Sequence, residues 1–198
     1  SIYFGTNTGG VDPDLIIANT DTVDIFLTLL VDDSQLADTT VMVESGNTDA
    51  IDFIDENGYP MGILIDFANS NGGSVTVKSI AAQPPVDENT PWVDPDGIIT
   101  DPVFPAKYFE ITTDIEGDFL TDIGFDYTAL PGIEDPLSLR LAKRPGNAGL
   151  AEPWSVIAIS SMEYNITDGL ILAKNQTSFS QWAMLSNASD NSFIDTQG

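Results

Sequence analysis

Cysteine and histidine are missing from all 198 residues of the chain. Their absence removes disulfide frameworks, thiolate nucleophiles, zinc fingers, Ser-His-Asp triads and Cys-His dyads from the chemistry available. Cationic side chains are almost as scarce. Six Lys and Arg stand against 31 Asp and Glu, a formal net charge of −25. Nucleic acids and anionic membranes are held by Lys and Arg, so a surface this acidic argues against both as partners. No apolar run approaches the length of a bilayer span, and no membrane insertion is expected. Long amphipathic helices are lacking too, since no segment keeps an apolar repeat of 3.6 residues through four turns. The start at Ser1 in place of Met predicts processing or trimming, with no signal-peptide pattern in the chain as read.

What is present fits a folded β protein. Hydrophobic residues make up 42% of the chain, enough for a sizeable core. Of the 31 acids, 23 are Asp and 8 are Glu, and Asp favours caps and turns over helix interiors. Asp without paired cations repels itself, so screening by salt or binding of Ca²⁺ is expected to stabilise the fold.

The best-patterned stretch runs from Ile123 to Leu185. Ile123, Phe125 and Tyr127 alternate with Gly124, Asp126 and Thr128, and Leu137, Leu139 and Leu141 alternate with Ser138, Arg140 and Ala142. Such period-two patterns predict half-buried strands, with Pro145-Gly146-Asn147 as the turn into a third segment, Trp154 to Ile159. A fourth runs from Thr177 to Leu185. Earlier in the chain, strands are predicted at Val23–Val31, Thr39–Glu44, Ala50–Ile54, Gly62–Phe67, Ser74–Ile80 and Lys107–Thr113. Turns are expected at Asp55–Pro60, Asn69–Gly73 and around Gly117. Between Pro84 and Pro105 the chain is rich in Pro, yet it carries Trp92, Val103 and Phe104. Those apolar anchors predict a packed crossover and not a free linker. Many short strands with regular turns predict an all-β, antiparallel β-sandwich of immunoglobulin-like or jelly-roll type. It is read as one extended sandwich over residues 1–198, or alternatively as an N-terminal β unit (1–83) packed with a C-terminal sandwich (84–198).

A set of motifs then occurs in a fixed order. These are Ser74-Val-Thr-Val77, the Pro-rich crossover, Tyr108-Phe-Glu-Ile111, Phe125-Asp-Tyr127, Leu139-Arg-Leu-Ala-Lys-Arg144, Trp154-Ser-Val156 and Thr177-Ser-Phe-Ser-Gln-Trp-Ala183. In this order, Ser74 to Leu185 resembles a β-sandwich module found near the C-terminal ends of large secreted or surface-anchored bacterial proteins. The resemblance implies a non-catalytic, extracellular spacer, adhesion or assembly domain, and it brings no catalytic residues to transfer. The expectation is therefore a structural subunit at the cell surface, self-associating or joined to neighbouring surface-protein domains. Ile2, Tyr3 and Phe4, or Ser192-Phe-Ile194 at the other end, would add a strand to the open edge of the next copy.

Other chemistries have fewer residues behind them. Asp94-Pro-Asp96-Gly97 and Asp55-Glu-Asn57-Gly58 each place oxygen ligands two apart before a Gly. This is a fragment of how loops wrap Ca²⁺, without the full twelve-residue loop and its terminal Glu. Asp12, Asp14, Asp32 and Asp33 are further clusters. Two carboxylates suffice for glycoside hydrolysis, but among 31 acids no aromatic-flanked pair stands out. A carbohydrate-binding module is the alternative reading, with Trp92, Trp154, Trp182 and the tyrosines as stacking platform, although Trp154 and Trp182 fall within strands and read as core. Lys78, Lys107, Lys143 and Lys174 read as surface charge. Asn165-Ile-Thr167, Asn175-Gln-Thr177 and Asn187-Ala-Ser189 fit the N-glycosylation pattern, which is frequent in Asn/Thr-rich chains and in a bacterial protein is usually left unmodified.

Overall fold

A computed structural model of the chain describes residues 37–86, 92–145 and 152–193. Ile2, Tyr3 and Phe4, the strand expected at Val23–Val31, the acids at 12, 14, 32 and 33, and Ile194 lie outside these residues. The chain divides after Val31, and everything described belongs to the unit of residues 32–198.

The described residues form two antiparallel sheets packed face to face, as the alternation predicts, and they do not close into a barrel. In the larger sheet, β1 (Ala37–Val43) pairs with β4 (Gly73–Ile80), which pairs with β6 (Tyr108–Thr113). Next come β12 (Gln181–Asn187), β8 (Arg140–Arg144) and β9 (Ser155–Val156), and the two-residue β5 (Pro102–Val103) joins the end of β12. The smaller sheet runs β2 (Ile51–Ile54), β3 (Pro60–Asn69), β7 (Leu120–Asp126), β11 (Leu170–Gln176), β10 (Met162–Asn165). Strands from both sides of Pro84 share each sheet, because β3 pairs with β7 and β4 with β6. At Pro84 the chain crosses over within the sandwich.

Alternation sorts the buried apolar side chains into two layers. Ile63, Ile65 and Phe67 of β3, Ile123 and Phe125 of β7, Val75 and Val77 of β4, and Trp182 and Met184 of β12 meet between the sheets. Phe125 lies 5.5 Å from Trp182 and 5.8 Å from Phe109, centroid to centroid, so the middle of this layer is aromatic. The intervening residues of β8, β9 and β12 point the other way. Ala142, Val156, Ala183 and Leu185 form a second apolar layer on the outside of the larger sheet, with Trp154 beside them. The Pro-rich crossover lies on that layer through Trp92, Ile99 and Phe104, which realises the packed crossover expected from its apolar anchors.

Several segments differ from the sequence-based expectation: the strand expected over Trp154–Ile159 is reduced to Ser155–Val156, and that over Thr177–Leu185 begins only at Gln181. Leu137 is 53% exposed, whereas Leu139 and Leu141 are in the core. Asp135 caps a 3₁₀ turn over Pro136–Ser138, accepting the Leu137 N–H, so the strand begins only at Arg140. The hairpin β10–β11 was not predicted at all. Its turn ends at Gly169, whose φ of 70° is left-handed and whose added Cβ would stand 2.1 Å from Thr128 Cγ2. Past the last strand, Asn191 is almost fully buried and locks the chain end. Its Oδ1 accepts the amides of Glu134 (2.7 Å) and Asp135 (2.8 Å), and its Nδ2 donates to Ser138 Oγ (2.7 Å) and Ser186 Oγ (2.9 Å).

Candidate functional site

The two candidate cation loops are built by their own amides. Asp55 Oδ1 accepts the N–H groups of Asn57 (2.9 Å) and Tyr59 (2.8 Å), an Asx-type turn that Gly58 completes at a φ of 85°. Asp94 does more. Its Oδ1 accepts from Asp96 N (2.9 Å) and its Oδ2 from Ile98 N (2.8 Å) and Ile99 N (2.7 Å). Partial burial pushes the Asp94 carboxyl up, but the amides of Ile99, Asp96, Ile98 and Gly97 together outweigh it and hold the group below its ordinary value. Asp96 is turned elsewhere, accepting Ile159 N at 2.8 Å. The structure thus gives Asp94 and Asp96 separate partners: one closes the loop and the other ties it to the turn after β9. Among the described residues, no three acidic side chains gather at metal-ligand spacing.

The tryptophans are packed, not presented. Trp182 and Trp154 are 0% and 2% exposed. Trp92 is sandwiched, its ring stacked on Phe104 at 4.5 Å and on Trp154 at 5.7 Å. The Arg144 guanidinium sits 4.7 Å from the Trp154 ring centroid. The Pro85 carbonyl accepts from both Trp154 Nε1 (3.0 Å) and Arg144 Nη1 (3.1 Å). Phe104, Trp92, Trp154 and Arg144 stack against one another and clamp the crossover, so Trp92 is packed against protein aromatics. Arg144 also ends a polar row across the larger sheet. It donates to Gln181 Oε1 (2.7 Å), Gln181 donates to Glu110 Oε2 (3.2 Å), and Lys78 lies 3.9 Å from Glu110 Oε1.

Two lysines correct the reading of all four as surface charge. Lys107 donates to the Met61 carbonyl at 3.0 Å with its Nζ 5.1 Å from the Phe109 centroid; burial lowers its pKa while the Asp126 charge raises it. Lys143 donates to Gln176 Oε1 at 2.9 Å beside the Trp182 ring, and burial alone lowers its pKa. Lys143, on β8 of the larger sheet, and Lys107, just before β6, each reach a partner on the smaller sheet. Lys78 and Lys174 remain in ion pairs at the surface. Lys174 meets Asp122 and, at 3.4 Å, Glu163, and these partners raise its pKa, the Asp122 hydrogen bond most of all.

The edges of the sheets carry the remaining interaction chemistry. β1 and β2 lie on one flank, where Thr39 Oγ1 donates to the Ile54 carbonyl at 2.7 Å. Each is hydrogen-bonded to one described strand only, β4 and β3. β1 is seven residues long, Ala-Asp-Thr-Thr-Val-Met-Val, with neither Pro nor Lys, and Met42 on it is 74% exposed. At the opposite flank of the larger sheet, β9 has two residues, and a bridge from Val93 covers its edge. The β-branched run at 39–43 was the available signal for a sheet edge, but which strand ends a sheet depends on long-range pairing.

Comparison of the chain with known protein families, with curated proteins and with solved structures finds no match.

Proposed function

We propose that the chain is a non-enzymatic, extracellular structural protein, a cell-surface, adhesion or filament-forming subunit that assembles through edge-strand or terminal-strand contacts. The observation that supports it most is the open edge of β1. Natural sheets protect long edges with Pro, charged side chains, bulges or a covering segment, and among the described residues β1 has one charge, Asp38, and none of the others. A strand from the next copy, supplied by Ile2-Tyr3-Phe4, would satisfy its main-chain groups and extend the sheet. Such a head-to-tail contact need not close, so it builds a fibre. The resemblance of Ser74–Leu185 to surface-protein modules points the same way. The acidity fits as well: with a net charge of −25, copies approach one another only when salt or a divalent cation screens them.

Electron microscopy of the purified protein at high salt, with and without Ca²⁺, tests the reading. Filaments are expected, and they should be lost on deletion of residues 1–10 and on Met42→Lys, which charges the edge at an exposed position and should leave the melting temperature unchanged. Monodisperse particles under every condition, or unaltered filaments in both variants, would sink it.

A further inference from the structure

The three Asn-x-Ser/Thr triplets are held in different ways. Asn165 donates from Nδ2 to Asp168 Oδ2 at 2.7 Å and accepts the Asp168 N–H at 3.2 Å, closing the β10–β11 turn. Asn187 accepts the amides of Thr100 (2.9 Å) and Asp101 (3.3 Å) on Oδ1, and its Nδ2 donates to the Ile98 carbonyl at 3.2 Å. The hydroxyl of its triplet is engaged too, Ser189 Oγ donating to Asp190 Oδ1 at 3.0 Å.

Asn175 stands apart. It lies on the bulge of β11, where pairing with β7 shifts register between Ala173 and Gln176. Its φ is 56°, the one left-handed non-glycine among the described residues. Asp122 Oδ1 accepts its backbone N–H at 2.8 Å, but its side chain is exposed and enters no hydrogen bond among the described residues. Gln176 turns inward, accepting from Lys143 and donating to the Lys174 carbonyl at 2.8 Å. Thr177 is exposed again, with no hydrogen bond to its hydroxyl among the described residues. The buried middle residue therefore anchors a triplet whose two outer residues are exposed and whose amide and hydroxyl make no hydrogen bond among the described residues.

We propose that Asn175 is an N-linked glycan acceptor and that Asn165 and Asn187 are not. The donor class is an oligosaccharide activated as a lipid diphosphate, acted on by a transferase that reads the Thr177 hydroxyl. Asn175 Nδ2 forms a bond to sugar C1, the C1–O bond to the diphosphate breaks, the lipid diphosphate leaves, and the amide gives up one of its two protons. A glycan on Asn175 displaces no side-chain hydrogen bond among the described residues. On Asn165 or Asn187 it would compete with the bonds to Asp168 or Ile98. The inference rests on the extracellular reading above, because this transfer acts on exported chains.

Asn also has a backbone reason to stand at a φ of 56°, since Asn tolerates the left-handed region. The variants must separate the two roles. Peptide mass mapping of the protein isolated from its own source should find an oligosaccharide on the peptide containing Asn175. It should vanish in Asn175→Gly, which keeps the backbone conformation, and in Thr177→Val, and persist in Thr177→Ser. All three should melt within a degree or two of the native protein after enzymatic deglycosylation. An unmodified Asn175, or a glycan on Asn165 or Asn187, overturns the inference. Protease treatment of intact cells separates the two failures. Cleavage from outside with Asn175 unmodified defeats the glycan and leaves the extracellular reading standing, whereas an unmodified chain protected inside defeats both.

Discussion

The two outer faces of the sandwich are treated in opposite ways. On the larger sheet, small residues (Ala142, Ala183) make room for a second apolar layer, and the chain lays Trp92 and Phe104 over it. On the smaller sheet the outward residues of β3, β7 and β11 are Leu64, Gly124 and Leu172 in register, flanked by Asp66, Asp122 and Asp126. Leu64, Leu170 and Leu172 stay partly exposed there, and no described segment is packed over them. One sheet is thus buried on both sides and the other on one. What separates them is the position of the aromatic residues in a loop, since both sheets offer aliphatic outward positions.

The largest expected effect breaks the covered face. Trp154→Ala removes two aromatic contacts, the Arg144 stack and the bond to Pro85, and should destabilise by about 3–5 kcal/mol. At ~2–4 °C per kcal/mol for a chain of this size, thermal melts should show a fall of roughly 10 °C. Leu172→Ala on the other face should lose less than about 1 kcal/mol. Equal losses would mean that the smaller sheet is covered as well.

A middle-sized effect sharpens how the covered face is pinned at its end. Asn191→Ala leaves the amides of Glu134 and Asp135 without an acceptor and should lose about 2–3 kcal/mol, measured by denaturant titration. A change below about 0.5 kcal/mol would show that solvent replaces those bonds.

The smallest effect concerns Asp94, at the edge of the crossover. Its folded pKa lies below the ordinary 3.8, so its stabilisation is present above that value and is lost as pH falls through the folded pKa. Asp94→Asn should melt about 1–2 °C lower at neutral pH, discounted for solvent screening, and the difference should disappear in acid. A difference that persists in acid would assign the loss to the amide geometry in place of the charge.

The contrast between the faces was half legible in the sequence. Apolar residues within a Pro-rich stretch, Trp92 and Phe104, announced a segment that packs. The strands at 39–43, 51–54, 62–67 and 74–80 were readable because outward polar residues such as Thr40, Asp52, Asp66 and Thr76 alternate with inward apolar ones. β11 was not, since Leu170 and Leu172 point outward while Ile171 and Ala173 point inward. With both faces apolar the period vanishes, and only Asp168-Gly169 marked the turn. Lys107 and Lys143 were unreadable for another reason. Their partners, Met61 and Gln176, lie 46 and 33 residues away. At the candidate site the acids near Gly were legible as turns, but which amides each carboxylate serves was not.

The place of β12 has a consequence for how the chain comes to be folded. The last of the described strands in chain order sits between β6 and β8, in the middle of the larger sheet. A nascent chain lacking it has Trp182 and Met184 missing from its core, and β6 and β8 have nothing between them. The sheet therefore cannot close until Asn187 has left the ribosome, and pairings this distant in sequence form slowly. Until β12 is made, the larger sheet is held open by its own topology, with β6 and β8 unpaired at the centre.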